Sequence, residues 1–257
     1  MSQYLLYVEL RKQAQSTGYL DLSSIKFLYP TTLLPLSLAM RKSLGSSAYL
    51  PPRDPDVQSY LNLMQQGAGF DALNKQTYLP VVGIPRLERD SQSILNRIYE
   101  LGGDIGGKDA FRYLVGELTD NIYQHSMFEN ALVMAQQYRK MSELHLCIID
   151  DGITIGGSLR RTGMILDDYQ AIVDALQGVS SKKNTERGMG LGTSLKLMTE
   201  GYKGRMLVVS GKGAIHFGKG APVGYNLSEM FKYEGTLISM VIPFIEMEVD
   251  VYAYAEL

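Results

Sequence analysis

Glu117, Asn121 and His125 stand four residues apart in a stretch patterned as an amphipathic helix. Spacing of four brings side chains onto one helix face, each beside the next. A carboxylate, an amide and an imidazole in one row suit a hydrated Mg2+ and a phosphate chain. The amide oxygen can ligate a hard cation, and the carboxylate can orient water or a hydroxyl as a general base. The same row is also the pattern of a solvated helix face.

Asp150 follows directly on an apolar run, Leu144–Ile149, and Gly152 comes two residues later. A carboxylate at a strand end can accept a hydrogen bond from an exocyclic amine such as that of adenine. A glycine beside it admits a planar ring close to the backbone. Taken alone, the pair also reads as an ordinary Asp-Gly turn. Gly188-Met189-Gly190-Leu191-Gly192-Thr193 precedes a helix-patterned stretch. Glycines there free backbone N–H groups for phosphate oxygens, and the helix start adds a favourable dipole. Lys182, Lys183 and Arg187, just upstream, could neutralise a polyphosphate or form a solvated basic loop.

Two more familiar nucleotide motifs, a dinucleotide fingerprint and a Walker-type loop, are mimicked but not met. Gly188-x-Gly190-x-Gly192 partly mimics a dinucleotide fingerprint, but polar residues rather than a strand precede it. Gly213-Ala-Ile-His-Phe-Gly218-Lys219 has most of a phosphate-binding loop. Gly220 replaces the Ser/Thr that would hold Mg2+, and Pro222 stands where a helix should start, so a glycine-bounded hairpin is expected.

These residues need a strand and helices to hold them. Apolar spacing predicts helices over Ser91–Glu100, Lys108–Ser126, Asp167–Leu176 and Thr193–Glu200. Strands are expected at Leu144–Ile149, Arg205–Ser210, Ala214–Phe217 and Leu237–Pro243. The first part of the chain reads as a small α/β unit, with strands at Tyr19–Leu22 and Ala48–Leu50. Helices are expected there at Thr31–Arg41 and Val57–Met64, and Tyr78–Ile84 is a connecting strand or linker. Domain bounds of 1–85 and 86–257 follow.

The 257 residues are 45% hydrophobic and 20% charged, a balance that permits a core of normal size without staples. A single cysteine rules out an intramolecular disulfide and a cysteine zinc cluster. No apolar run approaches the roughly 20 residues needed to cross a bilayer, and the N-terminus lacks a signal-peptide pattern. A cytoplasmic location is expected, and a formal net charge of −2 asks for neither nucleic acid nor an anionic membrane.

Taken in order, the segments resemble the GHKL ATPase superfamily of gyrase, Hsp90, histidine kinases and MutL. Glu117-Leu-Thr-Asp-Asn121 looks like its N box, and Asp150-Asp-Gly152-Ile-Thr154 like its D-x-G-x-G box. Gly188-Met-Gly190-Leu-Gly192 looks like the second glycine box, and Gly235-Thr236 like the final Gly-Thr element. The likeness runs from about Gly106 to Phe244, and Glu117–Ser126 is most similar to the anti-sigma-factor serine kinase branch. It implies an α+β Bergerat fold, a mixed β-sheet backed by helices with Mg·ATP on the helical side.

Residue by residue, the resemblance makes Glu117 the base, Asn121 the Mg2+ ligand and Asp150 the partner of the adenine amine. Thr236 would support the adenine through water, and the glycines at 188, 190 and 192 would wrap the phosphates under a lid formed between the two glycine boxes. His125, Gly152, Leu191 and Thr193 would lie along the nucleotide. The sequence departs from the pattern at Thr154, which stands where a second glycine is expected and restricts the lid hinge.

Leu20–Leu34 resembles the strand–turn–helix of a STAS domain, with Thr31 and Thr32 near the place where that fold can be phosphorylated. Tyr29-Pro30 replaces the usual Asp-Ser context, and a Thr before a helix is more often simply an N-cap. The expected activity is a nucleotide-dependent switch acting on a regulatory protein partner, with slow hydrolysis or transfer to a protein Ser/Thr; the alternative is a non-catalytic nucleotide sensor. A homodimer is one arrangement that Met1–Lys12 could serve.

Overall fold

A strand that is apolar at nearly every position must be covered on both faces. The run Glu143–Asp150 is of this kind, buried throughout after its first residue. In the computed structural model, which describes residues 1–44, 49–66, 77–179 and 190–254, helical layers cover it on each side.

In chain order the elements are α1 (Ser2–Thr17), β1 (Leu20–Asp21), α2 (Pro30–Ala39), β2 (Tyr49–Leu50), α3 (Pro55–Gln66) and β3 (Tyr78–Gly83). Then come α4 (Gln92–Leu101), α5 (Lys108–Asn121), β4 (Ala131–Tyr138), β5 (Glu143–Asp150), α6 (Ile155–Arg160), α7 (Asp168–Leu176) and α8 (Leu191–Lys196). β6 (Arg205–Gly211), β7 (Gly213–Phe217), β8 (Val223–Asn226) and β9 (Tyr233–Pro243) complete the set. The large sheet has the order β3-β4-β5-β9-β6-β7-β8. Each of its pairings is antiparallel, whereas the resemblance implied a mixed sheet. Short connections explain the direction at β4-β5, β6-β7 and β7-β8, since a parallel neighbour requires a long crossover. The parallel pair among the described residues is β1–β2, two residues a side.

Alternation along β5 divides the core in two. Leu144, Leu146 and Ile148 join Ile98 of α4, Phe111 and Leu114 of α5 and Ile172 of α7. Cys147 and Ile149 face the other way, toward Tyr4 and Val8 of α1, Leu33 and Leu36 of α2 and Leu61 of α3. The N-terminal helices thus lie against the same sheet as the C-terminal ones, and β3 is one of its two outer strands, hydrogen-bonded to β4. The Thr31 hydroxyl meets Ser239 of β9 at 2.6 Å, and Thr32 is fully buried with its hydroxyl donating to Gln3. Neither caps α2, whose N-cap is Tyr29. The 213–219 segment forms the expected hairpin arm, with β7 paired to β8.

Because α2 shares its core with the central strands, Leu33→Ala is expected to cost about 2–5 kcal/mol. Urea unfolding followed by circular dichroism and tyrosine fluorescence should give one coincident transition. An early, separate loss of the N-terminal helices would contradict a shared core.

Candidate functional site

The face of the sheet under α5 ends in three polar residues. Asp150 of β5 is in register with Thr236 of β9, and Thr236 with Ser210 of β6. They continue the apolar row of Ile148, Ile238 and Val208, so their side chains stand together on the α5 side. The Ser210 hydroxyl accepts from the Ile155 N–H at 2.9 Å and donates to the Gly235 carbonyl at 3.1 Å. Its single proton is then spent, so the Thr236 hydroxyl, 3.1 Å away, must donate to it and keep its own lone pairs as acceptors.

Asp150 is 3% exposed, and its carboxylate accepts from the Gly152 N–H at 2.9 Å. Burial pushes its pKa up to about 7, against the opposing pull of the Gly152 and Thr236 N–H groups. Its neighbour Asp151 projects to the other face of the chain and behaves oppositely. Burial also works against the Asp151 charge, but Lys42 and the Asn130 and Glu129 donors overcome it and hold the carboxyl below its usual range.

Two glycines make the approach of these segments possible. A Cβ on Gly152 would lie 1.9 Å from the Ser126 carbonyl, and one on Gly235 (φ 111°) would lie 2.0 Å from the Asp150 carbonyl. Ile153 N–H donates to that same Ser126 carbonyl at 2.6 Å. The end of the helix carrying Glu117, Asn121 and His125 is therefore fastened to the turn carrying Asp150 and Gly152.

The predicted helix 108–126 is α-helical only to Asn121; Ile122–Ser126 forms a π turn that ends on Met127 in the left-handed region. The wider turn moves His125 off a strict four-residue row. Glu117 is half-buried, and the Tyr113 hydroxyl, one turn earlier, donates to it. The Asn121 amide nitrogen is buried with no hydrogen-bond partner among the described residues. Amide nitrogen and oxygen are interchangeable by rotation, so the side chain can offer either atom there.

Thr154, the departure from the expected box, caps α6: its hydroxyl accepts from the Gly157 N–H at 2.9 Å. A glycine at 154 would supply no such cap. Gly190 precedes α8, Leu191 and Thr193 are buried, and Gly192 packs against the Leu176 carbonyl. The fully buried Ser194 hydroxyl next to them has no partner among the described residues. Lys182, Lys183, Arg187 and Gly188 lie outside the described residues.

The expected lid between the glycine boxes is in part anchored. Ala171 and Ile172 of α7 are buried, and the Asp168 carboxylate pairs with Arg160 and accepts from the Lys212 N–H. α6 and α7 are therefore docked on the sheet.

Sequence reasoning missed Ser210, whose signal was a polar residue closing an apolar strand. It also missed Lys42, for which the sequence gives no local signal. Among the described residues, no cluster of three His, Cys, Asp or Glu could hold a metal, and no helix is long and apolar enough to cross a membrane. No model of a known protein family matches the chain, and neither does any curated protein.

The raised Asp150 pKa has a sign. Between about pH 4 and 7 the unfolded chain has lost this proton and the folded chain keeps it, so rising pH weakens the fold. Urea titrations from pH 4 to 8 should show the protein losing stability relative to Asp150→Asn by on the order of 2–4 kcal/mol. A pH-independent difference between the two would contradict the buried, protonated carboxyl.

Proposed function

We propose that the chain binds Mg·ATP on the α5 side of the sheet in the manner of a GHKL domain, and that it acts as a nucleotide-dependent switch on a regulatory protein partner. The observation that carries this reading is the Asp150 carboxyl, buried at a strand end among polar neighbours that do not neutralise it. Such a group is costly unless a ligand uses it. An exocyclic amine donating to it supplies the missing donor, and the Thr236 lone pairs can accept from a water on the same ring edge.

The unpartnered Asn121 amide suits a hydrated cation. The protein offers no acidic cage among the described residues, so Mg2+ would take its other ligands from phosphate and water. Gly190, Gly192 and Thr193 would face the phosphate chain; the charges of Lys182, Lys183 and Arg187 suit a polyphosphate, and Gly188 belongs to the same glycine run in the sequence. Bound Mg·ATP supplies the transferable phosphoryl group. Glu117 orients the attacking water or protein hydroxyl, giving slow hydrolysis or transfer to a Ser/Thr.

A second reading, nucleotide sensing without catalysis, is favoured by one contact. The Tyr113 hydroxyl already donates to Glu117 and so occupies the carboxylate that would orient the nucleophile.

Turnover separates the two. In the catalytic reading Glu117→Ala lowers ADP or phosphoprotein formation by about 100-fold or more while Mg·ATP still binds. Nucleotide binding without product in the unaltered protein over hours selects the sensing reading, and absence of Mg·ATP binding rejects both.

A further inference from the structure

The turn that carries Asp150 is gripped from both sides of the sheet. On the α5 side, Ser126 accepts from the Ile153 N–H and Ser210 from the Ile155 N–H. On the opposite side the grip is Asp151. Its side chain is 2% exposed, and it accepts from the Glu129 N–H at 2.9 Å, the Asn130 N–H at 2.7 Å and the Asn130 amide at 2.8 Å. A fourth donor is cationic and comes from far away in sequence, the ammonium of Lys42.

Lys42 belongs to the π turn Met40–Leu44, which continues α2 without a break. α2 is buried on nearly every side against the sheet. The ion pair therefore connects a rigid N-terminal helix to the residue next to the buried Asp150. Three neutral donors alone leave a buried carboxylate without a compensating charge, an arrangement that weakens the segment holding it.

We infer that Lys42 is a positioning residue through which the N-terminal helical layer sets the order of the Asp150–Thr154 turn and, with it, the grip on nucleotide. The inference rests on the Mg·ATP reading above. It makes the N-terminal layer a regulator of the site rather than a passive cover. Any partner that shifts α2 or draws Lys42 away, half-exposed as it is, loosens the turn without touching the nucleotide face.

A double-mutant cycle on the full chain tests it, with Lys42→Ala, Asp151→Asn and both together. Three quantities are measured: Mg·ATP affinity by calorimetry, hydrogen exchange of the 129–130 and 152–153 amides without nucleotide, and melting temperature. Lys42→Ala should weaken Mg·ATP binding by about fivefold or more and speed exchange in those two segments ahead of the central strands. In the Asp151→Asn background the same change should add little, because the partner of Lys42 is already altered.

Equal affinity of the parent and Lys42→Ala overturns the inference alone, leaving the nucleotide reading intact. So does an effect of Lys42→Ala that persists undiminished in the Asp151→Asn background, or one that appears as an even rise in exchange across the sheet. Absence of Mg·ATP binding by the parent overturns the nucleotide reading and the inference together.

Discussion

A carboxyl buried to 3% exposure at the end of an apolar strand constrains everything around it. Asp150 could be relieved by a cation or by water, but the Gly152 and Thr236 N–H groups soften the penalty of its burial without removing it, and the Asp151 charge adds to it. The hydrogen bonds that hold it require the backbone to turn back at once, which Gly152 permits by letting the chain pass against the Ser126 carbonyl. Gly235 does the same on the β9 side. The site is thus a polar end to a close-packed seam of three strands, and a side chain at either glycine would force the seam apart.

The seam is rigid because both faces of the sheet are covered. α4, α5, α7 and α8 close one side, and α1, α2 and α3 close the other. The adjacent aspartates then belong to different environments. Asp150 faces the layer that carries Glu117 and Asn121, with burial raising its proton affinity. Asp151 faces the N-terminal layer, with Lys42 and three further donors keeping it ionised. One turn of chain therefore joins a poised carboxyl to a fixed one.

The strongly patterned elements were legible in the sequence. Val57–Met64, Ser91–Glu100 and Asp167–Leu176 lie within or beside α3, α4 and α7, and the β5, β6, β7 and β9 runs were visible as apolar stretches. β4 was not. Its Ala131, Met134, Ala135 and two glutamines are residues that favour helices, and only pairing with β3 and β5 makes it a strand. α6 was hidden behind Gly156 and Gly157, and its cap Thr154 looked like a defect in a glycine box rather than the start of a helix.

At the site, the residue types at Asp150, Gly152, Asn121 and Thr236 were readable, but their environment was not. That Asp150 shares a row with Ser210, or that Lys42 reaches Asp151, depends on strand register and on helix packing across many residues. The π turn at Ile122–Ser126 is likewise set by contact with the 150–153 turn, which a helical repeat cannot anticipate.

Calorimetric titration of the purified protein and of Asp150→Ala with Mg·ATP tests the central claim most directly. The account predicts saturable binding by the parent, lost or weakened by at least about tenfold in the variant, which retains its fold. Binding that survives unchanged in Asp150→Ala, or none in the parent, would contradict a nucleotide site built on this carboxyl.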